Sequence, residues 1–172
     1  MEYRGQFNII VFLHNETHKI PHITWQDQQD TVEIYYETIG TGEPVVFHHG
    51  NDNASRNWHD LGYVDALKNN IQMILIDCRG YGKSSKFHGP SSYSLKSRAT
   101  DTIKVLDALN IQKAHMLGGS FTASFNMLLA KKLPQCQLEI LPNMDHKAAY
   151  WDSATTMTPI LSAFIRKHGI LT

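Results

Sequence analysis

Cysteine, net charge and long apolar runs are all scarce in this sequence of 172 residues. Only Cys78 and Cys136 are present, which is too few for a disulfide scaffold and typical of free thiols in a reducing compartment. Sixteen basic and sixteen acidic side chains cancel, so no net field would attract nucleic acid or an anionic membrane. The apolar stretch from Ile9 to Leu13 is too short to span a membrane and lacks the flanks of a secretory signal. We therefore expect a cytoplasmic protein with no membrane span and no nucleic acid partner.

The residues that are present have the balance of one globular domain, with 42% hydrophobic and 19% charged side chains. A chain of this size buries roughly two thirds of the surface that it exposes when unfolded, so a core forms without cross-links. Residues 1–30 lack a regular pattern, and we expect an amino-terminal extension that forms either an edge strand and a loop or an ordered tail. A single domain is predicted for residues 31–172.

Ten histidines raise the question of a metal site, because His14, His18 and His22 follow one another at a spacing of four residues. That spacing would place three imidazoles on one face of a helix. Pro21 would interrupt the helix, and His14 is not followed directly by the glutamate of a zinc protease. Neither cysteine has a second cysteine nearby. We predict neither a metal nor any other cofactor.

From residue 31 onward, short apolar runs alternate with amphipathic stretches. Strands are predicted at Val32 to Tyr36, Val45 to Phe47, Ile71 to Ile76, His115 to Leu117 and Leu138 to Leu141. Helices are predicted at Arg56 to Asn69, Tyr93 to Leu109, Phe121 to Lys132 and Thr158 to Lys167. This alternation predicts an α/β fold in which helices flank a mostly parallel sheet.

Three loops that follow predicted strands carry residues suited to chemistry. The first, His48 to Asp52, contains Gly50, which lets the chain turn so that a backbone amide points above the sheet. Such an amide can stabilise an oxyanion. Taken alone, the loop is better explained as an ordinary glycine turn.

The second loop, Asp77 to Ser84, ends in Gly-Lys-Ser and thus resembles a phosphate-binding loop. A phosphate-binding loop has glycine where this chain has Asp77, whose carboxylate would repel phosphate. Ser85 stands where a dinucleotide fingerprint has its third glycine. A nucleotide-binding protein that uses Lys83 and Ser84 is the alternative, and we expect no such binding.

The third loop, Gly118 to Thr122, joins a predicted strand to a predicted helix. A serine on so sharp a turn, here Ser120, adopts a strained backbone that raises its hydroxyl above the sheet. Small residues two positions away on either side make the turn possible; Gly118 meets this condition and Thr122 meets it poorly. The amide of Phe121 would begin the helix, where the macrodipole helps it to hold negative charge. A serine that only caps the helix is the alternative.

In this order and with these strand contexts, the three loops resemble those of the α/β-hydrolase family. The resemblance covers Thr31 to about Leu133, and it resumes from Gln137 in a segment similar to the family's last strand and the loop of its catalytic histidine. The resemblance implies a serine hydrolase that cleaves an ester, thioester, lactone or amide bond of a small acyl substrate. Relatives with aspartate at the turn, the haloalkane dehalogenases and epoxide hydrolases, are disfavoured because this chain has a serine.

By this resemblance, Ser120 is the nucleophile and His146 is the general base and then the acid. The amides of Asn51 and Phe121 would form the oxyanion hole. Only 26 positions separate Ser120 from His146. In the family's usual members, this interval is longer and contains two more strands, the lid helices and the carboxylate that orients the histidine. The chain therefore corresponds to a compact or truncated form of the fold.

A catalytic triad also needs a carboxylate that orients His146, and the short interval leaves open which residue provides it. Glu139 is the only acidic residue between Ser120 and Asp145, and it falls in the last predicted strand. Asp152 is therefore the candidate, while Asp77 and Asp101 lie earlier in the chain than the family's order requires. Loss of the orienting carboxylate reduces turnover by about four orders of magnitude in well-studied triads. A weak or inactive remnant of the fold that acts as a binding or assembly protein is the alternative.

A missing pair of strands also affects the edge of the sheet. The strand at Leu138 to Leu141 would lie directly beside the strand that ends at Leu117. The sheet would then have an exposed edge, and unpaired edges readily pair with another chain. We expect a homo-oligomer that rebuilds the sheet through this edge.

Overall fold

A computed structural model of the protein describes residues 21–27, 30–132 and 153–169. In this part of the chain, the strands are β1 (His22–Asp27), β2 (Asp30–Ile39), β3 (Glu43–His48), β4 (Ile71–Ile76) and β5 (His115–Gly118). The helices are α1 (Arg56–Asp60), α2 (Tyr63–Leu67), α3 (Leu95–Ala108), α4 (Phe121–Lys132) and α5 (Ser153–His168), with a short 3-10 helix at Pro90–Tyr93. The predicted strand at Leu138 to Leu141 lies outside the described residues.

The five described strands form one sheet in the order β1-β2-β4-β3-β5, flanked by helices. The α/β fold class is thus confirmed. The sheet is mixed, because β3 pairs in parallel with both β4 and β5, whereas β2 is antiparallel to β4 and to β1. The edge strand β1 is drawn from residues that the sequence pattern assigned to the amino-terminal extension.

Both faces of the sheet are covered, which explains the short, mostly apolar strands β3 and β4. Side chains alternate along β3, so Val45 and Phe47 pack on the face that carries α1, α2 and α5. Val46 points to the opposite face, where it meets Ile74 of β4 and Val105 of α3. The carboxyl-terminal helix α5 belongs to the first face because its buried Leu161 packs in the same cluster as Phe47.

The single helix predicted at Arg56 to Asn69 is wrong, since this segment forms two short helices. Gly62 has a φ of 79°, a left-handed conformation, and its amide caps the end of α1 by donating to the carbonyl of His59 at 3.0 Å. Trp58 of α1 and Leu67 of α2 nevertheless pack in one cluster. The apolar residues therefore keep a helical spacing across the break at Gly62, and this spacing alone could not predict the break.

Helices α3 and α5 also begin at residues other than those predicted. Helix α3 starts at Leu95 because the hydroxyl of Ser94 caps it by accepting a bond from the amide of Ser97 at 3.0 Å. Helix α5 starts at Ser153 and continues through Pro159. The bounds of β4 and α4 agree with the prediction. Among the described residues, the helices are all too short or too polar to cross a membrane.

The register of the parallel strands brings the three loops to one edge of the sheet. His48 at the end of β3 is opposite Ile76 of β4 and opposite Gly118 of β5. The loops that follow these three residues therefore leave the sheet at the same level, side by side. This edge holds the candidate site.

Candidate active site

Ser120 is the second residue of the two-residue turn between β5 and α4, and its backbone is strained. Its φ is 56°, in the left-handed region that costs a residue with a Cβ roughly 1 kcal/mol or more. Its side chain is exposed. The first amides of the helix bond to backbone carbonyls, Thr122 to Gly119 and Ala123 to Ser120, each at 3.2 Å. This geometry is not that of a serine that caps a helix, because a capping residue has an extended backbone and accepts such a bond with its side-chain oxygen.

The residues on either side of the turn are fitted to it. A Cβ on Gly118 would lie 2.5 Å from Nδ2 of Asn126 and 2.9 Å from Oγ1 of Thr122, so the close packing of α4 on β5 favours glycine at this position. Thr122 is fully buried, and its hydroxyl donates to the carbonyl of Gly119 at 2.8 Å. A threonine is therefore accommodated where the sequence pattern favoured a second glycine, because its polar atom has a partner.

The amide of Phe121 stands at the first position of α4, next to Ser120. No acceptor for it is found among the described residues, and the amide of Asn51 in the loop after β3 is in the same situation. Asn51 is exposed, whereas the preceding Gly50 is buried. Two amides at the ends of neighbouring strands are thus available to an oxygen that carries negative charge.

His49 controls the direction of the Asn51 amide. The amide of Cys78 donates to Nε2 of His49 at 3.0 Å, so the proton of this imidazole is on Nδ1, which donates to the carbonyl of Gly50 at 2.7 Å. Burial lowers the pKa of His49 and keeps the ring neutral. The Gly50 carbonyl and the Asn51 amide belong to one planar peptide and point in opposite directions. Fixing the carbonyl therefore fixes the amide.

Neither histidine of this loop has the geometry of a general base for Ser120. Both ring nitrogens of His49 are occupied by backbone groups. His48 is completely buried and contacts the hydroxyl of Thr102 through Nε2 at 2.9 Å. Burial lowers the pKa of His48 to about 3, so its ring is uncharged at neutral pH. His146 and Asp152, the predicted base and acid, lie outside the described residues.

Asp77, which begins the loop after β4, has a buried carboxylate that joins two loops. Oδ1 accepts a bond from the amide of Ser55 at 2.6 Å, and Oδ2 accepts one from the amide of Lys83 at 2.8 Å. A Cβ on Gly82 would lie 1.9 Å from Oδ2, so only glycine lets the chain pass so close. Both carboxylate oxygens serve the backbone of these loops, and among the described residues no imidazole is hydrogen-bonded to them.

The Gly-Lys-Ser sequence of the same loop also binds within the fold. The buried hydroxyl of Ser84 donates to the carbonyl of Asp77 at 2.6 Å and accepts from the amide of Tyr35 at 2.9 Å. Nζ of Lys83 lies 4.3 Å from the ring centroid of Tyr35 and donates to the Tyr35 hydroxyl at 3.2 Å. These contacts fasten the loop to β2 and leave neither side chain arranged around a phosphate.

A buried ion pair, which the sequence patterns did not reveal, lies behind the site. Arg79 is fully buried and bonds to the carboxylate of Asp101 through Nε at 2.7 Å and through Nη2 at 2.5 Å. Nη1 donates to Asp27 at 2.9 Å. Burial alone would lower the pKa of Arg79, but the hydrogen bond to Asp101 and its charge raise it overall. Asp101 is thereby committed to Arg79 and is not free to orient a catalytic histidine. The apolar spacing of the predicted helix did not indicate this pair, because Asp101 is buried whereas Leu95 and Ile103 of the same helix are exposed.

The described geometry brings three of the five predicted site residues to one edge of the sheet: Asn51, Ser120 and Phe121. In the part of the chain that the structure describes, no group of three or more His, Cys, Asp or Glu side chains is placed to hold a metal ion. Residues His49 and Tyr81, which connect the three loops, were not singled out by the sequence patterns. In the sequence, His49 is distinguished only by its position before Gly50, and Tyr81 only by its position between Gly80 and Gly82.

The class of α/β proteins to which this fold belongs has a sharp turn between a strand and a helix at the carboxyl ends of parallel strands, as at Ser120. Residues 43–137, more than half of the chain, match the sequence model of the family described as alpha/beta hydrolase fold. The protein belongs to this family.

Similar proteins include hydrolases with several kinds of substrate. The 2-hydroxy-6-oxononadienedioate/2-hydroxy-6-oxononatrienedioate hydrolase of Burkholderia vietnamiensis is 30% identical over 127 residues, which cover 72% of this chain and 43% of that protein. A solved structure of Est816, an N-acyl homoserine lactone degrading enzyme, is 35% identical with a TM-score of 0.56, covering 67% of this chain and 41% of the other. A Bacillus megaterium epoxide hydrolase is 26% identical with a TM-score of 0.55, covering 60% of this chain and 36% of the other. The chain thus spans less than half the length of each.

Proposed function

We propose that this chain is a serine hydrolase that cleaves an ester, thioester, lactone or amide bond through an acyl-enzyme on Ser120. The observation that carries the proposal is the exposed Ser120 on a left-handed turn with a φ of 56°. A strained conformation of this kind persists only where the surrounding packing holds it, and such residues concentrate at active sites. Here Gly118 and Thr122 provide that packing.

In the proposed reaction, the Ser120 hydroxyl oxygen bonds to the acyl carbon while its proton passes to His146. The carbonyl oxygen becomes an oxyanion that accepts hydrogen bonds from the amides of Asn51 and Phe121. The bond to the leaving group then breaks, and that group takes the proton from His146. Water, deprotonated by the same imidazole, releases the acid and restores Ser120. Asp152 is the candidate that orients His146.

The choice of an acyl substrate rests on the identity of the nucleophile and on one relative. A serine ester formed with an acyl group is readily hydrolysed, whereas opening an epoxide with a serine would leave an ether. The similarity to an enzyme that degrades N-acyl homoserine lactones is in keeping with an acyl bond of the ester type. We therefore favour a small neutral ester or lactone as the first substrate to test.

Labelling of the native chain by a fluorophosphonate probe tests this proposal. We expect labelling of the wild type, none of Ser120→Ala, and a large decrease in His146→Ala, because the probe reacts only with an activated serine. Ser91→Ala is the matched control, since Ser91 is also exposed and stands in the short 3-10 helix. An unlabelled native wild type would instead favour the second candidate, a binding or assembly protein with the same fold.

We also propose a homo-oligomer in the cytoplasm, in which a second copy extends the sheet at the edge formed by the predicted strand at Leu138 to Leu141, on the β5 side. Among the described residues, β5 pairs with β3 alone. Exposed strand edges favour association with another chain. Sedimentation should show a dimer or larger species, and a monomer with a cooperative melting transition would contradict this proposal.

A further inference from the structure

The hydroxyl of Tyr81 donates a hydrogen bond to Oδ1 of Asn51. The bond connects the loop after β4 to the loop after β3. Asn51 is the residue whose amide is proposed to stabilise the oxyanion, and no step of the proposed reaction involves Tyr81. The contact therefore calls for a separate explanation.

The ring of Tyr81 is held on several sides, so its hydroxyl has a defined position. Its centroid lies 5.2 Å from that of His49, edge to face, and 5.4 Å from that of Phe121. The guanidinium carbon of Arg98 is 5.9 Å from the Tyr81 centroid and 5.2 Å from the Phe121 centroid. Arg98 is itself anchored, because it donates to the carbonyl of Arg79 at 3.1 Å. A phenol clamped in this way loses little further freedom when it donates a hydrogen bond.

Asn51, in contrast, is exposed and belongs to a strained loop. The next residue, Asp52, has a φ of 59°, in the left-handed region that disfavours a residue with a Cβ. The side-chain amide of Asn51 donates to the Asp52 carboxylate at 3.3 Å, but that contact lies within the loop and cannot fix the loop relative to the sheet. The bond from Tyr81 connects the exposed side chain to the rigid aromatic cluster.

We propose that Tyr81 is a positioning residue that holds the loop of Asn51 beside the turn of Ser120 and Phe121. His49 sets the direction of the Asn51 amide, and the Tyr81 hydroxyl sets the place of that amide relative to the amide of Phe121. This inference rests on the proposed function. It predicts that the hydroxyl, rather than the ring, affects the stabilisation of the transition state.

The kinetic test compares Tyr81→Phe with Tyr93→Phe, both of which remove one hydrogen-bonded hydroxyl and keep the ring. Tyr93 donates to the carbonyl of Phe87 at 2.8 Å, away from Asn51, and serves as the matched control. For Tyr81→Phe we expect a decrease of about tenfold in kcat for p-nitrophenyl acetate and in the rate of fluorophosphonate labelling, with KM unchanged. Combining Tyr81→Phe with Asn51→Ala should cause no further decrease beyond Asn51→Ala, because both changes remove one contact.

Hydrogen exchange of the amides at residues 50–53 provides a readout that does not need activity. We expect faster exchange in Tyr81→Phe than in the wild type, and no change in Tyr93→Phe. Wild-type rates of labelling and exchange in Tyr81→Phe would overturn the inference, as would slower labelling with unchanged exchange. An unlabelled wild type would overturn the proposed reaction alone, and the exchange rates would then decide whether Tyr81 holds the loop.

Discussion

Arg79 and Asp101 form a bidentate ion pair behind the candidate site, and both side chains are buried. Without the Asp101 charge, the buried Arg79 keeps its single bond to the carboxylate of Asp27, and breaking a buried pair typically costs about 3 to 5 kcal/mol. We expect Asp101→Asn to lower the free energy of unfolding by about 3 kcal/mol in urea denaturation. The exposed pair of Arg56 and Asp60 provides the control, and Asp60→Asn should leave the midpoint nearly unchanged. Equal effects of the two substitutions would contradict this interpretation.

Replacing Ser120 should separate stability from reactivity. Glycine adopts a φ of 56° without steric cost, so Ser120→Gly is expected to raise the free energy of unfolding by about 1 kcal/mol and to abolish labelling. Ser120→Ala should also abolish labelling, but it should give no such gain because a Cβ remains. Chemical denaturation of the three proteins measures the difference. A less stable Ser120→Gly would show that the turn is not strained.

Gly118 should be intolerant of a side chain for a reason that a second substitution can relieve. A Cβ there would lie 2.5 Å from Nδ2 of Asn126, so we expect Gly118→Ala to destabilise the chain by about 1 to 3 kcal/mol. Shortening the neighbour in Gly118→Ala with Asn126→Ala should recover part of the loss. Gly89→Ala is the control, because a Cβ at Gly89 meets only the Ser91 hydroxyl, at 3.6 Å. Thermal melting of the four proteins decides whether the loss is specific to the turn.

The buried histidines predict that the chain loses stability in mild acid. The pKa of His48 is about 3 in the folded protein and about 6.5 in an unfolded chain, so protons bind preferentially to the unfolded state between these values. The contribution of His48 is complete above pH 6.5 and is lost as the pH falls, by about 1.4 kcal/mol for each pH unit. Burial also lowers the pKa of His49, which adds in the same direction.

Urea denaturation at pH 7, 5.5 and 4.5 measures this dependence. We expect His48→Leu to make the free energy of unfolding decline less steeply with falling pH than it does in the wild type. The exposed His88 supplies the comparison, and His88→Leu should keep the wild-type slope. A His48→Leu protein with an unchanged slope would show that His48 does not carry the effect.

The elements that the sequence predicts well are those set by neighbours in the chain. Strand β4 and helix α4 have the predicted bounds because their signals are local: an apolar run for β4, and for α4 a stretch between the Gly-Gly-Ser turn and Pro134. The break at Gly62 was missed although it is also local, because both short helices face one core and keep a common apolar spacing. The loop from Asp77 to Ser84 resembles a phosphate-binding loop because both contain glycines. In this chain, Gly82 allows close packing against the Asp77 carboxylate.

By itself, the sequence determined the order of strands and helices, the glycines at the three turns and the serine between β5 and α4, since each depends on conformational preferences of adjacent residues. Only the tertiary structure decided which polar side chains meet. Arg79 reaches Asp101 and Tyr81 reaches Asn51 from separate parts of the chain. Contacts of this kind follow from the register of the parallel strands and the packing of α3 and α4, and periodicity along the chain contains no information about them.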